Sequence, residues 1–362
     1  MNRLRYIDRA RGLAVLVMIE AHTIDAWTRP AERASTAFRN LTILGGFAAP
    51  LFLWLAGLAA VLAASRAAAR SGSRRAAVDA GCRRGLEIFV LAFLFRLQAF
   101  VLSPGGAAIT LFRVDILNVM GPALALTALV WGAAASSAAR TALFSAVACA
   151  IALATPIARE SSLVGRLPIW VQWYLRPAGE YTTFTMLPWA GFVFAGGAVG
   201  ALLAAARGQA EQRRLHAWIA AAGAFLVALG FATAARPALF AGATFWTSSP
   251  TFFAIRAGIL MLLLAGLFVL DARPRAAAAG DAAPAPGWLA RFGQRSLFVY
   301  WIHVELVYGY ATWPLHHRLP VPVLAAAYAA FCLLMYRAIV LRDTLTAAWR
   351  ARGRAREALQ TA

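Results

Sequence analysis

Lysine is absent from this sequence, cysteine occurs three times, and only 14% of the 362 residues are charged. The missing lysine makes all 35 basic residues arginine, which reads as a compositional bias and assigns no site. Cys82, Cys149 and Cys332 stand far apart, with no C-x-x-C or Cys/His spacing. That excludes a disulfide framework and a zinc site, and no metal is expected. The shortage of charge comes with 61% hydrophobic residues and a mean hydropathy of +0.66, which excludes a soluble domain of ordinary composition. An all-α, polytopic membrane helical bundle is what such a composition leaves. A formal charge of +20 is compatible with nucleic-acid binding, but in so apolar a chain cationic charge belongs to the loops that set topology. Membrane lipids are the expected partner, and no nucleic acid is.

Crossing the hydrocarbon core takes about 20 apolar residues. Ten segments qualify, at 12–27, 41–64, 86–102, 114–131, 141–157, 182–206, 218–234, 251–270, 296–313 and 321–340. The first is the least hydrophobic. Its basic start imitates a signal peptide, yet Glu20, His22 and Asp25 interrupt the apolar run and no small-x-small cleavage site follows, so it is expected to stay in the mature protein. With the N-terminus inside, 24 of the 35 arginines fall in cytoplasmic segments. The positive-inside rule thus predicts ten spans with both termini cytoplasmic. The stretch 276–287, AAAAGDAAPAPG, reads as a flexible linker within a single membrane-embedded domain over 1–345. Residues 346–362 form a basic tail suited to anionic lipid heads. The longest outer loop, 158–181, carries Trp170, Trp173, Tyr174 and Tyr181, which suit interfacial anchoring or an aromatic lid over an acceptor.

Ionisable groups inside apolar segments are expensive and therefore functional suspects. In YIDRARGLAVLVMIEAHTID, residues Asp8, Arg11, Val15, Met18, His22 and Asp25 follow steps of three and four and share one helical face. Arg11 and His22 are separated by about 16 Å along that helix and about 20° around it. A neutral imidazole suits proton transfer near neutral pH, and Asp25, one turn on, is placed to orient it. Asp8 and Arg11 mark the cytosolic end, as a helix-surface pair or as the edge of a cofactor site at which Arg11 meets a phosphate. Arg96 and Arg256 lie inside the third and eighth spans, and Arg113, Asp115 and Asn118 open the fourth. His303 and Glu305 lie in the ninth. These seven are interhelical polar contacts or the walls of an internal cavity. His216, His316 and His317 sit at loop edges and carry no sharp hypothesis.

The opening YIDRARGLAVLVMIEAH resembles the start of the transmembrane acyltransferase superfamily, with its I/L-D-x-x-R-G/A motif. The blocks FAAPLFLWLAGLAA, FRVDILNVMG, TFTMLPWAGFVFAGGAVG and GQRSLFVYWIHVELVYG are similar, in the same order, to the heparan-α-glucosaminide N-acetyltransferase-like branch. The likeness runs from about Leu4 to Arg342. It implies a helical bundle that takes an acyl group, usually acetyl, from cytosolic acyl-CoA and passes it to a glycan or other acceptor across the bacterial inner membrane. The spacing from Arg11 to His22 also resembles the acyltransferase-3 proteins. That resemblance gives His22 the role of the essential first-span histidine and Arg11 a place at the acyl-CoA site. One departure stands out: in the heparan-modifying enzymes an asparagine matches His22, and the catalytic histidine follows in the next loop. Here the loop 23–40 contains no histidine.

Acyl transfer from acyl-CoA to a hydroxyl or amine is therefore the expected function, with His22 as base or nucleophile. Two other classes fit the same residues. One is a proton-coupled transporter or lipid-carrier flippase in which Asp25, His22, His303 and Glu305 form a relay. The other is a catalytically silent scaffold. A homodimer is as compatible with the sequence as a monomer.

Overall fold

In a bilayer the backbone finds no water, so each apolar segment must satisfy its own N–H and C=O groups as a helix. The structure is a computed structural model describing residues 4–102, 107–240, 242–272 and 287–360, with side chains in the last helix through Arg352. Fourteen helices and no strand occur among the described residues: α1 (Arg5–Trp27), α2 (Thr36–Gly45), α3 (Ala48–Ser71), α4 (Arg74–Leu102), α5 (Ile116–Ala133), α6 (Ser137–Glu160), α7 (Ser162–Gly165), α8 (Ile169–Leu175), α9 (Met186–Ala205), α10 (Gly208–Ala234), α11 (Pro250–Ala272), α12 (Trp288–Gln294), α13 (Ser296–Tyr308) and α14 (Val321–Gln360). All ten expected segments fall on helices. Eight helical stretches are long and apolar enough to cross a membrane. The two expected segments not among them are α1, weakened by its ionisable residues, and α13, a shorter apolar helix. The linker 276–287 lies outside the described residues except for Gly287.

The chain divides into two compact units, residues 1–48 with 275–362, and residues 49–274. In the first, α1 packs against α2, α12, α13 and α14, and 14 of its 23 residues are buried. This explains its poor hydropathy, because a helix that faces protein can carry polar groups that lipid would reject. Its approach to α12 is set by two glycines. A Cβ on Gly12 would overlap the Leu289 carbonyl, and one on Gly293 would overlap the carbonyl of Asp8. Between membrane helices such small residues permit the close packing that must replace a hydrophobic driving force. At the other end of α1 the chain pairs with the segment before α14. His317 N–H donates to the Ala26 carbonyl at 3.0 Å, Leu319 N–H to Trp27 at 2.9 Å, and Arg29 N–H to Leu319 at 3.0 Å. The Glu32 carboxylate accepts from Arg29 at 2.6 Å and from the Val321 N–H at 3.2 Å.

In the second unit the principal contacts pair α4 with α5, α6 with α9 and α10 with α11. Side-chain oxygens satisfy the first N–H groups of several helices. Ser136 accepts from Ala139 N–H at 3.1 Å at the start of α6, and Asp115 caps α5 in a capping box with Asn118.

Candidate active site

Two histidines remote in sequence meet in the first unit. His22 Nδ1 and His303 Nε2 are 2.9 Å apart, with the rings nearly parallel at 10° and their centroids 5.0 Å apart. His303 is fully buried, and its Nδ1 lies 2.8 Å from the Val299 carbonyl and 2.9 Å from that of Tyr300. Carbonyls only accept, so Nδ1 of His303 carries its proton and Nε2 its lone pair. The hydrogen between the rings then belongs to His22 Nδ1, which donates. Neutral His22 therefore holds its basic lone pair on Nε2, and the tautomer is dictated from the α13 backbone through His303.

Position 303 lies in the α13 turn that follows Val299 and Tyr300, and the helix itself supplies the i−4 and i−3 carbonyls that orient the ring. His22 is half-buried, on the face of α1 turned toward α13. Tyr308, one turn beyond Glu305 on α13, sets its ring edge-on to His22 with centroids 5.6 Å apart. The Tyr308 hydroxyl donates to Asp25 Oδ2 at 2.9 Å. The Asp25 side chain is 63% exposed, with Arg33 4.0 Å away. The orienting place that sequence spacing suggested for Asp25 is thus occupied at Nδ1 by His303, and Asp25 reaches the ring's surroundings through Tyr308.

Asp8 is buried at the opposite end of α1 and accepts from the Gln294 amide at 3.2 Å, while Arg11 is half-buried. Glu305 is buried on α13. In the sequence Glu20 reads only as an interruption, yet it is 7% exposed, and neither carboxylate oxygen has a hydrogen-bond partner among the described residues. It fills a niche left by the missing side chain of Gly45, whose Cβ would stand 3.0 Å from Glu20 Oε2. The visible signal was a carboxylate in an apolar run; its place in the packing was not.

The remaining candidates belong to the second unit. Arg96 pairs with Asp115 at 2.9 Å and donates to the Thr110 carbonyl at 3.1 Å. The Asn118 side chain, 1% exposed, accepts from the Asp115 N–H at 3.0 Å, and Arg113 donates to Thr183 at 3.0 Å. Arg256 lies over the Phe252 ring at 4.1 Å. Arg96, Asp115 and Asn118 thus form one hydrogen-bonded cluster at the start of α5, with Arg113 and Arg256 held by other contacts.

A family model described as heparan-alpha-glucosaminide N-acetyltransferase, catalytic, matches residues 3–234, more than half of the chain. No curated protein matches. The matched stretch contains His22 and ends before His303.

Proposed function

The chain belongs to the heparan-alpha-glucosaminide N-acetyltransferase catalytic family, and we propose that it is an inner-membrane acyltransferase that moves an acetyl group from cytosolic acetyl-CoA to a sugar amine or hydroxyl on the periplasmic side. His22 is the reacting residue, and the observation that supports this is its hydrogen bond to the backbone-anchored His303. A base must keep its lone pair on the atom that meets the acceptor. With Nδ1–H committed to His303, that atom is Nε2.

In the direct route, Nε2 takes the proton of the acceptor O–H or N–H while the oxygen or nitrogen bonds to the thioester carbonyl carbon. The tetrahedral oxyanion collapses, the C–S bond breaks, and the imidazolium returns the proton to the departing thiolate, so no proton is released overall. His303 stabilises the imidazolium by accepting from Nδ1–H. In the covalent route the same lone pair attacks the thioester carbon first, the C–S bond breaks and CoA leaves as thiolate, and the acyl-imidazolium then passes the acetyl group to the acceptor oxygen or nitrogen, whose proton goes to the thiolate. Arg11 and its neighbours on the cytosolic side attract the phosphates of the donor. Asp25 acts through Tyr308, fixing the phenol ring against the imidazole.

The test uses purified protein in lipid nanodiscs, acetyl-labelled acetyl-CoA, and a panel of amines, sugars and lipid-linked glycans. Transfer to at least one acceptor class is expected, with His22→Ala lowering the rate by about 10²–10⁴-fold. Unchanged transfer in His22→Ala, or substrate accumulation under a proton gradient without thioester consumption, would overturn the proposal. Rapid acid quench distinguishes the routes, because only the covalent one leaves label on His22.

A further inference from the structure

The contact between α4 and α5 leaves a groove of about 490 Å³ lined by Arg74, Arg75, Val78, Leu129, Gly132 and Ala133. Its walls are of two kinds. Arg74 and Arg75 are exposed and take no ion pair among the described residues. They open a helix of 29 residues, whose N-terminal end already carries partial positive charge. Arg140 adds a third cation near enough to act on Arg74, although its own guanidinium rests on the Trp131 ring at 4.2 Å. No lining residue is acidic, and the nearest carboxylate in sequence, exposed Asp79, stands one turn past Arg75 outside the lining.

The rest of the groove is apolar and continues the helix surfaces that face outward. On α4 the exposed residues Leu86, Val90 and Leu94 are spaced by four. Arg75 stands eleven residues before Leu86, which is about 16 Å along the helix and about 20° around it. The arginine therefore shares a face with Leu86, from which the apolar stripe drifts about 40° around the helix at each further step of four. On α5, Leu129 is 52% exposed and Ala133 lies one turn beyond it. An occupant meets two cations at one end and an apolar wall leading along both helices from the other.

We propose that the α4–α5 groove is a binding site for an anionic phospholipid, with the phosphate held between Arg74 and Arg75 and an acyl chain lying along Val78 and Leu129. Basic pockets between membrane helices recognise headgroups in this way. A soluble phosphate compound shares the headgroup chemistry but has no use for the apolar wall, which is why a lipid is the better fit. The site is independent of the acyl-transfer reading.

Native mass spectrometry of the detergent-purified chain is expected to show one retained anionic phospholipid. Delipidated protein titrated with phosphatidylglycerol and phosphatidylcholine should prefer the former. R74Q/R75Q should weaken phosphatidylglycerol binding on the order of 30-fold, at roughly one arginine's surface attraction each. Ala133→Trp, which fills the groove and keeps its charge, should also lose the lipid. R83Q/R84Q removes two exposed arginines of α4 outside the groove and should retain it. The proposal is overturned by equal affinity for the two lipids, by equal losses in R83Q/R84Q and R74Q/R75Q, or by full retention in Ala133→Trp. Displacement of the lipid by inorganic phosphate or by CoA alone would overturn it too, assigning the groove to a soluble phosphate.

Discussion

At the residue scale the atom proposed to react is selected by a chain of three hydrogen-bonding groups. Backbone carbonyls of α13 hold the His303 proton on Nδ1, His303 Nε2 accepts from His22, and the His22 lone pair is left on Nε2. On the proposed reading His303 is a positioning residue. His303→Ala should lower kcat for acetyl transfer by about 10- to 100-fold, the usual cost of losing an orienting partner, with KM within about twofold. His303→Gln keeps an acceptor within reach of Nδ1–H and should recover part of the rate. A purely structural role for His303 predicts equal losses in both variants, so steady-state kinetics with a pH profile of kcat separates the two.

Glu20 belongs to the same scale and has the opposite energetic sign. A buried carboxyl with no partner costs roughly 1–3 kcal/mol by mutational measures. Glu20→Met, similar in length and apolar, should therefore raise thermal stability in a fixed detergent by about that amount. A lower unfolding temperature for Glu20→Met would show that the carboxyl is an asset to the fold.

Among the elements, α1 is the one whose sequence and position look most at odds until its packing is known. It carries ionisable groups that lipid disfavours, and it is mostly buried against four other helices. Backbone contact at Gly12 and Gly293 leaves no room for side chains there. Gly12→Leu should destabilise by at least about 1–3 kcal/mol through overpacking. Gly266→Ala on α11, where a Cβ would meet nothing within 4 Å, should be neutral or stabilise by up to about 1 kcal/mol through helix propensity. Thermal unfolding of both variants checks the contrast.

The Trp27 end of α1 carries a pH dependence as well. Arg29's hydrogen bond, followed by the Val321 N–H, holds the Glu32 carboxyl below the ordinary carboxylate range. A lowered carboxyl contributes stability that is present above its unfolded pKa and lost as pH falls through the lower folded one. The pairing of the segment after α1 with the segment before α14 should therefore loosen below about pH 4. Amide exchange at Val321 and Leu319, corrected for intrinsic rates, should rise there in the wild type. Exchange in Glu32→Gln should be faster at neutral pH and flat across that window.

For the molecule as a whole, hydropathy sufficed to locate ten helical segments, because a bilayer allows an apolar segment of that length little else. The stripe from Asp8 to Asp25 was equally legible, since periodicity along one helix needs no tertiary information. His22 stood out by its chemistry, and Glu20 was visible as a polar break without its meaning being so. The partner of His22 was not legible, because 281 residues separate it from His303 and both orders of approach, through Asp25 or through α13, satisfy the same spacing. Arg96, Asp115 and Asn118 read as scattered polar residues until the start of α5 gathered them into one cluster.

Sequence alone thus determined the membrane class, the helices and the residues able to move a proton, all of which follow from local composition and the 3.6-residue period. Tertiary structure decided which nitrogen of His22 is basic, which side chain orients it, and why α1 tolerates its charges. Each of those depends on what a side chain meets across space, and one-dimensional order does not encode that contact in any local pattern.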